Sequence, residues 1–164
     1  GGGGGEGRTA YRNVEACCDA ALGDSHWTLR RGRLSRGVVD PERRALLECL
    51  GEDPQSFMAL SLQGWLVGVV LVRETEAVKS LKRLMDKMCV HEATRPVLGH
   101  SHRRHRSASV PIRGALDGDL LSSFLELTEE QQAELCALAG VGGESAAVDV
   151  CELIDALNHF VTGD

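Results

Sequence analysis

An α+β fold is predicted by three features of this 164-residue sequence. One glycine-punctuated apolar run reads as a β-hairpin, one strongly amphipathic stretch behind it reads as a helix, and a series of short capped helices follows. The 43% apolar content is enough for a core, although aromatics supply only 4%. The five glycines that open the chain belong to a Gly-rich stretch, residues 1–13, expected to be disordered. Residues 14–72 are assigned to the β part. Residues 73–164 are assigned to a helical domain carrying a basic connector over 91–113.

The hairpin is the longest apolar run, residues 57–72. Its sixteen residues fall short of the roughly 20 that a membrane helix needs, and Ser61, Gln63, Gly64 and Gly68 interrupt it. The β-branched Val67, Val69, Val70 and Val72 disfavour a buried helix. Residues 57–62 and 65–72 are therefore read as strands, with Gln63-Gly64 as the tight turn. Because apolar residues run almost continuously, both faces are expected to be buried, as in the inner strands of a propeller blade. Upstream, the Arg-rich stretch 29–36 reads as a surface loop or an edge strand. Residues 41–50 fit a helix with Asp40 as cap and Pro41 in the first turn, and residues 14–22 fit either a short helix or a loop.

From residue 74 to 88 the period becomes helical, with Ala77, Val78, Leu81, Leu84, Met85 and Met88 on one face and Lys79, Lys82, Arg83 and Lys87 opposite. A solvated basic face explains this pattern. Residues 91–111, with Pro96, Gly99 and Pro111 and no apolar period, read as an extended connector. Three short helices follow. Asp117 caps the first, whose apolar side is Leu120, Leu121, Phe124 and Leu125. Thr128-Glu129-Glu130-Gln131 is a capping box opening the second, which stops at Gly140. The third spans 148–161, with Val150, Ile154, Leu157 and Val161 in one stripe.

Charge is unevenly distributed. Residues 1–72 net −1, residues 73–113 carry ten cations against four carboxylates, and residues 114–164 carry eleven carboxylates and no Lys or Arg. A basic segment beside so acidic a neighbour argues for segments that face each other or face different partners, and any nucleic-acid role is expected to be indirect. The six cysteines include no C-x-x-C pair, so no zinc framework is visible and reduced, core-filling thiols are expected. His100, His102 and His105 lie among Arg103, Arg104 and Arg106, whose charge opposes a bound cation; a solvated or phosphate-facing loop is the expectation. The same loop has R-x-R-x-x-S spacing at Ser109, a phosphorylation candidate. A calcium loop over residues 141–152 is excluded, because Val141, Gly143 and Ser145 stand where oxygen donors are required. No nucleophile motif or phosphate-binding glycine loop is present, and Asp117 and Asp119 serve better as a cap than as an acid and base pair. No catalytic residue, cofactor or metal ligand is assigned.

The run Arg113-Gly114-Ala115-Leu116-Asp117-Gly118-Asp119-Leu120-Leu121-Ser122-Ser123-Phe124-Leu125-Glu126-Leu127 resembles a signature of one family. That family contains the damage-specific DNA-binding protein large subunit, the largest cleavage and polyadenylation specificity subunit and a spliceosomal paralogue. Gly114, Asp117, Gly118, Asp119, Leu120 and Phe124 carry the likeness as structural residues. The flanking order agrees: apolar hairpin, amphipathic helix, His- and Arg-bearing connector, short helices. The resemblance covers residues 56–160 and implies the last strands of a β-propeller followed by a small helical C-terminal domain. Residues 123–127 and 150–160 look closest to the damage-binding subunit.

The resemblance implies an adaptor linking a cullin-RING ubiquitin ligase scaffold to WD-repeat substrate receptors in DNA repair, nuclear as well as cytoplasmic, with no membrane partner. The same framework in polyadenylation or splicing, and a free-standing helical interaction module, are the other readings. Two departures stand out. Residues 100–107 lack the aromatics usual in the family's connector, and a last blade alone leaves sheet edges exposed, so further strands upstream or a stand-in partner are expected to cover the hairpin.

Overall fold

Near-continuous apolar sequence, β-branched valines and a glycine turn produce a sheet. In the computed structural model, which describes residues 26–32, 46–94, 114–143 and 145–162, β1 (His26–Arg31), β2 (Ser56–Ser61) and β3 (Leu66–Val70) are antiparallel neighbours in that order. Leu60 pairs with Leu66, Met58 with Gly68 and Ser56 with Val70. β1 is an edge strand whose register against β2 is broken between His26 and Thr28. The expected edge strand over residues 29–36 is thus seen as far as Arg31.

The hairpin turn is one residue longer than the sequence suggests. Ser61 and Trp65 are the last bonded pair, with the Ser61 N–H donating to the Trp65 carbonyl at 2.9 Å, so Leu62, Gln63 and Gly64 form the loop. Gly64 has φ of +88°, a conformation that side chains resist, which is why a glycine closes this loop.

Among the described residues four helices follow: α1 (Glu76–Met88), α2 (Gly118–Ser122), α3 (Glu129–Leu138) and α4 (Ala146–Thr162). Thr75 caps α1, its hydroxyl accepting from the Val78 N–H at 3.3 Å. At the far end the Thr94 hydroxyl, in the 3-10 turn Glu92–Thr94, donates to the Met88 carbonyl, satisfying one of the acceptors a helix end leaves open. The capping box at Thr128 and Gln131 is formed, and Gly140, with φ of +65°, terminates α3. α4 starts two residues earlier than its apolar stripe implies.

The main core lies between the helices. Leu81, Leu84, Met85 and Met88 of α1 meet Leu120, Leu121 and Phe124, Leu135 and Cys136 of α3, and Val150, Leu153 and Ile154 of α4. Each such fully buried side chain contributes about 1.5–3 kcal/mol. A second cluster of Leu47, Cys49, Leu50, Ala156 and Phe160, with Val70 and Val161 packed against it, joins the sheet to α4. Leu157 packs against both clusters.

One expectation is corrected. The hairpin is not buried on both faces: Leu60, Leu62, Trp65 and Leu66 are exposed, because α4 reaches the sheet at Gly68 and Val70 and the tip extends past it. Of the helix expected over 41–50, residues 41–45 lie outside the described residues, Leu46 is helical and Glu48–Leu50 form a 3-10 turn. Among the described residues the sheet is three-stranded and open, without the closure of a propeller. Residues 1–25 and most of the basic connector, including His100, His102, His105 and Ser109, lie outside the described residues. No helix among the described residues is long and apolar enough to cross a membrane.

Candidate interaction surface

The hairpin tip is ordered by a buried serine. Ser61 is 3% exposed, and its hydroxyl oxygen accepts from the N–H of Gln63 at 3.2 Å and of Trp65 at 3.0 Å. These bonds satisfy the loop backbone locally and hold its side chains outward. Trp65 is 68% exposed, Leu62 65% and Leu66 49%, and Leu60 pairs directly with Leu66. Residues 54–72 contain no ionisable side chain. Four large apolar side chains lie exposed at this hairpin end, Leu60 and Leu66 on one sheet face and Trp65 on the other, with no charge among them, and such area suits contact with another apolar surface.

The two sheet edges differ. β1 carries the register break, and its exposed Arg30 and Arg31 project from the strand, Arg31 lying 3.6 Å from Asp53. β3 has continuous register and no charge. Gly68 sits where α4 comes closest: a methyl group built on it would lie 2.6 Å from Val161 Cγ1. That approach fixes the hairpin's inclination to the helices.

The residues of the family-like run come together, but as framework. Asp117 Oδ1 accepts from the N–H of Asp119 at 3.1 Å and of Leu120 at 3.3 Å, so one carboxylate is the helix cap expected of it. Gly114 has φ of +66°, and Leu120 and Phe124 lie in the main core. Nothing in the structure explains Gly118, where an added methyl group would meet open space. Ser122 and Asn158 are hydrogen-bonded at 3.0 Å, tying α2 to α4, and the Gln132 amide donates to the Phe124 carbonyl at 2.9 Å.

Other polar groups among the described residues make local contacts. Burial pushes the thiols of Cys49, Cys136 and Cys151 above their ordinary value, which disfavours the nucleophilic thiolate. The imidazole Nδ1 of His91 accepts from the Ala93 N–H at 3.2 Å, and its Nε2 lies 3.7 Å from Glu134. On the outer face of α1 Lys79 pairs with Glu76 at 2.8 Å, which holds the carboxyl below and the ammonium above their usual ranges. No group of three or more potential metal ligands occurs among the described residues.

The exposed hairpin tip was missed from sequence. The signal available was the absence of any charge from residue 54 to 72, which pointed equally to burial and to docking.

No protein-family model matches this chain, and no curated protein matches it significantly.

Proposed function

We propose that the chain acts as part of a non-enzymatic adaptor, resembling the C-terminal region of the damage-specific DNA-binding protein large subunit. On this reading β1 to β3 are the last strands of a β-propeller and the helices form its C-terminal domain. The partners are a cullin-type ligase scaffold and WD-repeat receptors, with nucleic acid reached through them. The observation that carries the reading is the uncharged hairpin tip of Leu60, Leu62, Trp65 and Leu66, exposed beside a separately packed helical core. Adaptor work requires such shape and apolar area instead of reactive groups.

The test is to recover the endogenous protein with an antibody to residues 129–145 and identify what accompanies it. Recovery with cullin and WD-repeat receptors, reduced by combined Leu62→Ser and Trp65→Ser substitution, supports the reading. Recovery with RNA-processing subunits transfers the chain to the polyadenylation or splicing branch of the same family. A free chain with neither set of partners overturns the adaptor function.

A further inference from the structure

The hydrogen-bonding pattern of the hairpin shows which backbone groups of β3 point away from the sheet. The Ser61 N–H bonds the Trp65 carbonyl and the Leu71 N–H bonds the Gln55 carbonyl. In an antiparallel ladder bonded pairs recur every second residue. Trp65, Val67, Val69 and Leu71 therefore face β2, while Leu66, Gly68 and Val70 direct their N–H and C=O groups to the outer edge. Among the described residues no strand lies on that side. Leu66 is 49% exposed, and Gly68 is exposed as well.

Open edges are normally blunted by charge, proline or a bulge, because an unprotected edge is a template for another strand. β1 has two of these devices, the register break and the Arg30-Arg31 pair. β3 has none. The contrast within one sheet distinguishes an edge kept closed to strands from one left open to them. From this we propose that the outer edge of β3 receives an uncharged, extended strand from a partner protein, bonded to Leu66, Gly68 and Val70. The inference rests on the adaptor reading and specifies how one partner is held: backbone bonds supply the attachment, and the lack of charge over residues 54–72 selects against charged strands.

A second copy of this chain fits less well. Antiparallel pairing of two β3 strands about Gly68 sets the two glycines about 5.5 Å apart with α4 on the same face of each. Val161 packs directly over Gly68. The two α4 ends would then approach nearer than the 8–10 Å at which helices pack. A lone strand brings no helix and meets no such obstacle.

The test uses the full chain with a probe strand of alternating Thr and Val, attached after Asp164 through a flexible Gly/Ser linker. The α4 end already touches Gly68, so a short linker reaches the edge and supplies an effective concentration of about millimolar. Amide hydrogen exchange is followed residue by residue by NMR. The expected result is exchange at least about tenfold slower at Leu66, Gly68 and Val70, unchanged exchange at Leu29 and Arg31 on the β1 edge, and no slowing when proline replaces alternate residues of the probe. Unchanged rates at the three β3 amides, or slowing on the β1 edge instead, overturn the proposal. Neither of those results touches the adaptor reading, which stands or falls on the partners recovered with the unmodified chain.

Discussion

Phe124→Ala and Trp65→Ala remove large aromatic rings from opposite surroundings, and their comparison tests the account of the hairpin directly. Phe124 is 0% exposed and surrounded by side chains of α1, α2, α3 and α4, whereas Trp65 is 68% exposed at the tip. Truncating a fully buried Phe costs about 3–5 kcal/mol, from lost transfer energy and the cavity left behind. A fully buried aromatic covers roughly 150–250 Å². With about a third of its surface covered, Trp65 loses roughly 50–80 Å² of contact, or about 1–2 kcal/mol at ~25 cal/mol per Å². Urea unfolding followed by far-ultraviolet circular dichroism separates the two. With a slope of about 1–3 kcal/mol per molar urea, Phe124→Ala moves the midpoint by molar amounts and Trp65→Ala by roughly 0.4 times as much. If Trp65→Ala lowers the midpoint as far as Phe124→Ala does, the ring is packed in the isolated chain, and the reasoning that treats the tip as a free docking surface is refuted.

Asp117→Ala removes the acceptor of two backbone N–H groups and is expected to cost about 1 kcal/mol in the same urea assay, while Asp117→Asn restores most of it. A loss above about 3 kcal/mol would give Asp117 a role beyond capping. Gly68→Ala, with its new methyl group 2.6 Å from Val161 Cγ1, is expected to destabilise by about 1–3 kcal/mol. Adding Val161→Ala recovers part of that loss, and strict additivity of the two changes would contradict the contact. The buried thiols set a pH dependence. Their folded values are raised above the ordinary 9.0, so the protonated form supports the fold fully below that pH and stability declines as pH rises past it. Urea midpoints at pH 7 and pH 10 check the sign: the fall between them is expected to be larger for the wild type than for a Cys49→Ala, Cys136→Ala variant, and an equal or smaller fall would reverse it.

Those parts of the fold governed by neighbouring residues were legible in the sequence. Asp117 and the Thr128-Gln131 capping box needed only hydrogen bonds within one helical turn, and both formed as spacing indicates. The buried face of α1 followed from its 3.6-residue period, which put Leu81, Leu84, Met85 and Met88 together. The hairpin was legible as strands but not as a surface. Burial of a strand depends on what packs against it, and an uncharged strand reads identically whether its cover is a distant part of the same chain, a partner or water. The extra loop residue escaped for a related reason: Ser61 makes side-chain bonds to the Gln63 and Trp65 N–H groups, a feature that dipeptide turn rules do not encode. For the candidate site, sequence supplied the absence of charge and structure supplied the direction in which each residue points.

The helix that links the two parts gives the surface its mechanical setting. α4 contributes Val150, Leu153 and Ile154 to the helical core and Ala156 and Phe160 to the cluster beneath the sheet, with Leu157 packed against both. Sheet and helical body are therefore connected through a continuous 17-residue element, Val78 of α1 packing against the same cluster, and Val161 of α4 lies against Gly68 of β3. A strand added to β3 or a surface pressed on Trp65 bears on that contact first. Because a packed interior yields little before it rearranges, the load passes along α4 as a rigid rod instead of being absorbed in the hairpin. The proposed adaptor function would use that property to hold a partner in a fixed orientation relative to the body. The same contact also explains why β3 carries a glycine at residue 68: a larger side chain there would lift the strand from α4 and break the rigid connection on which orientation depends.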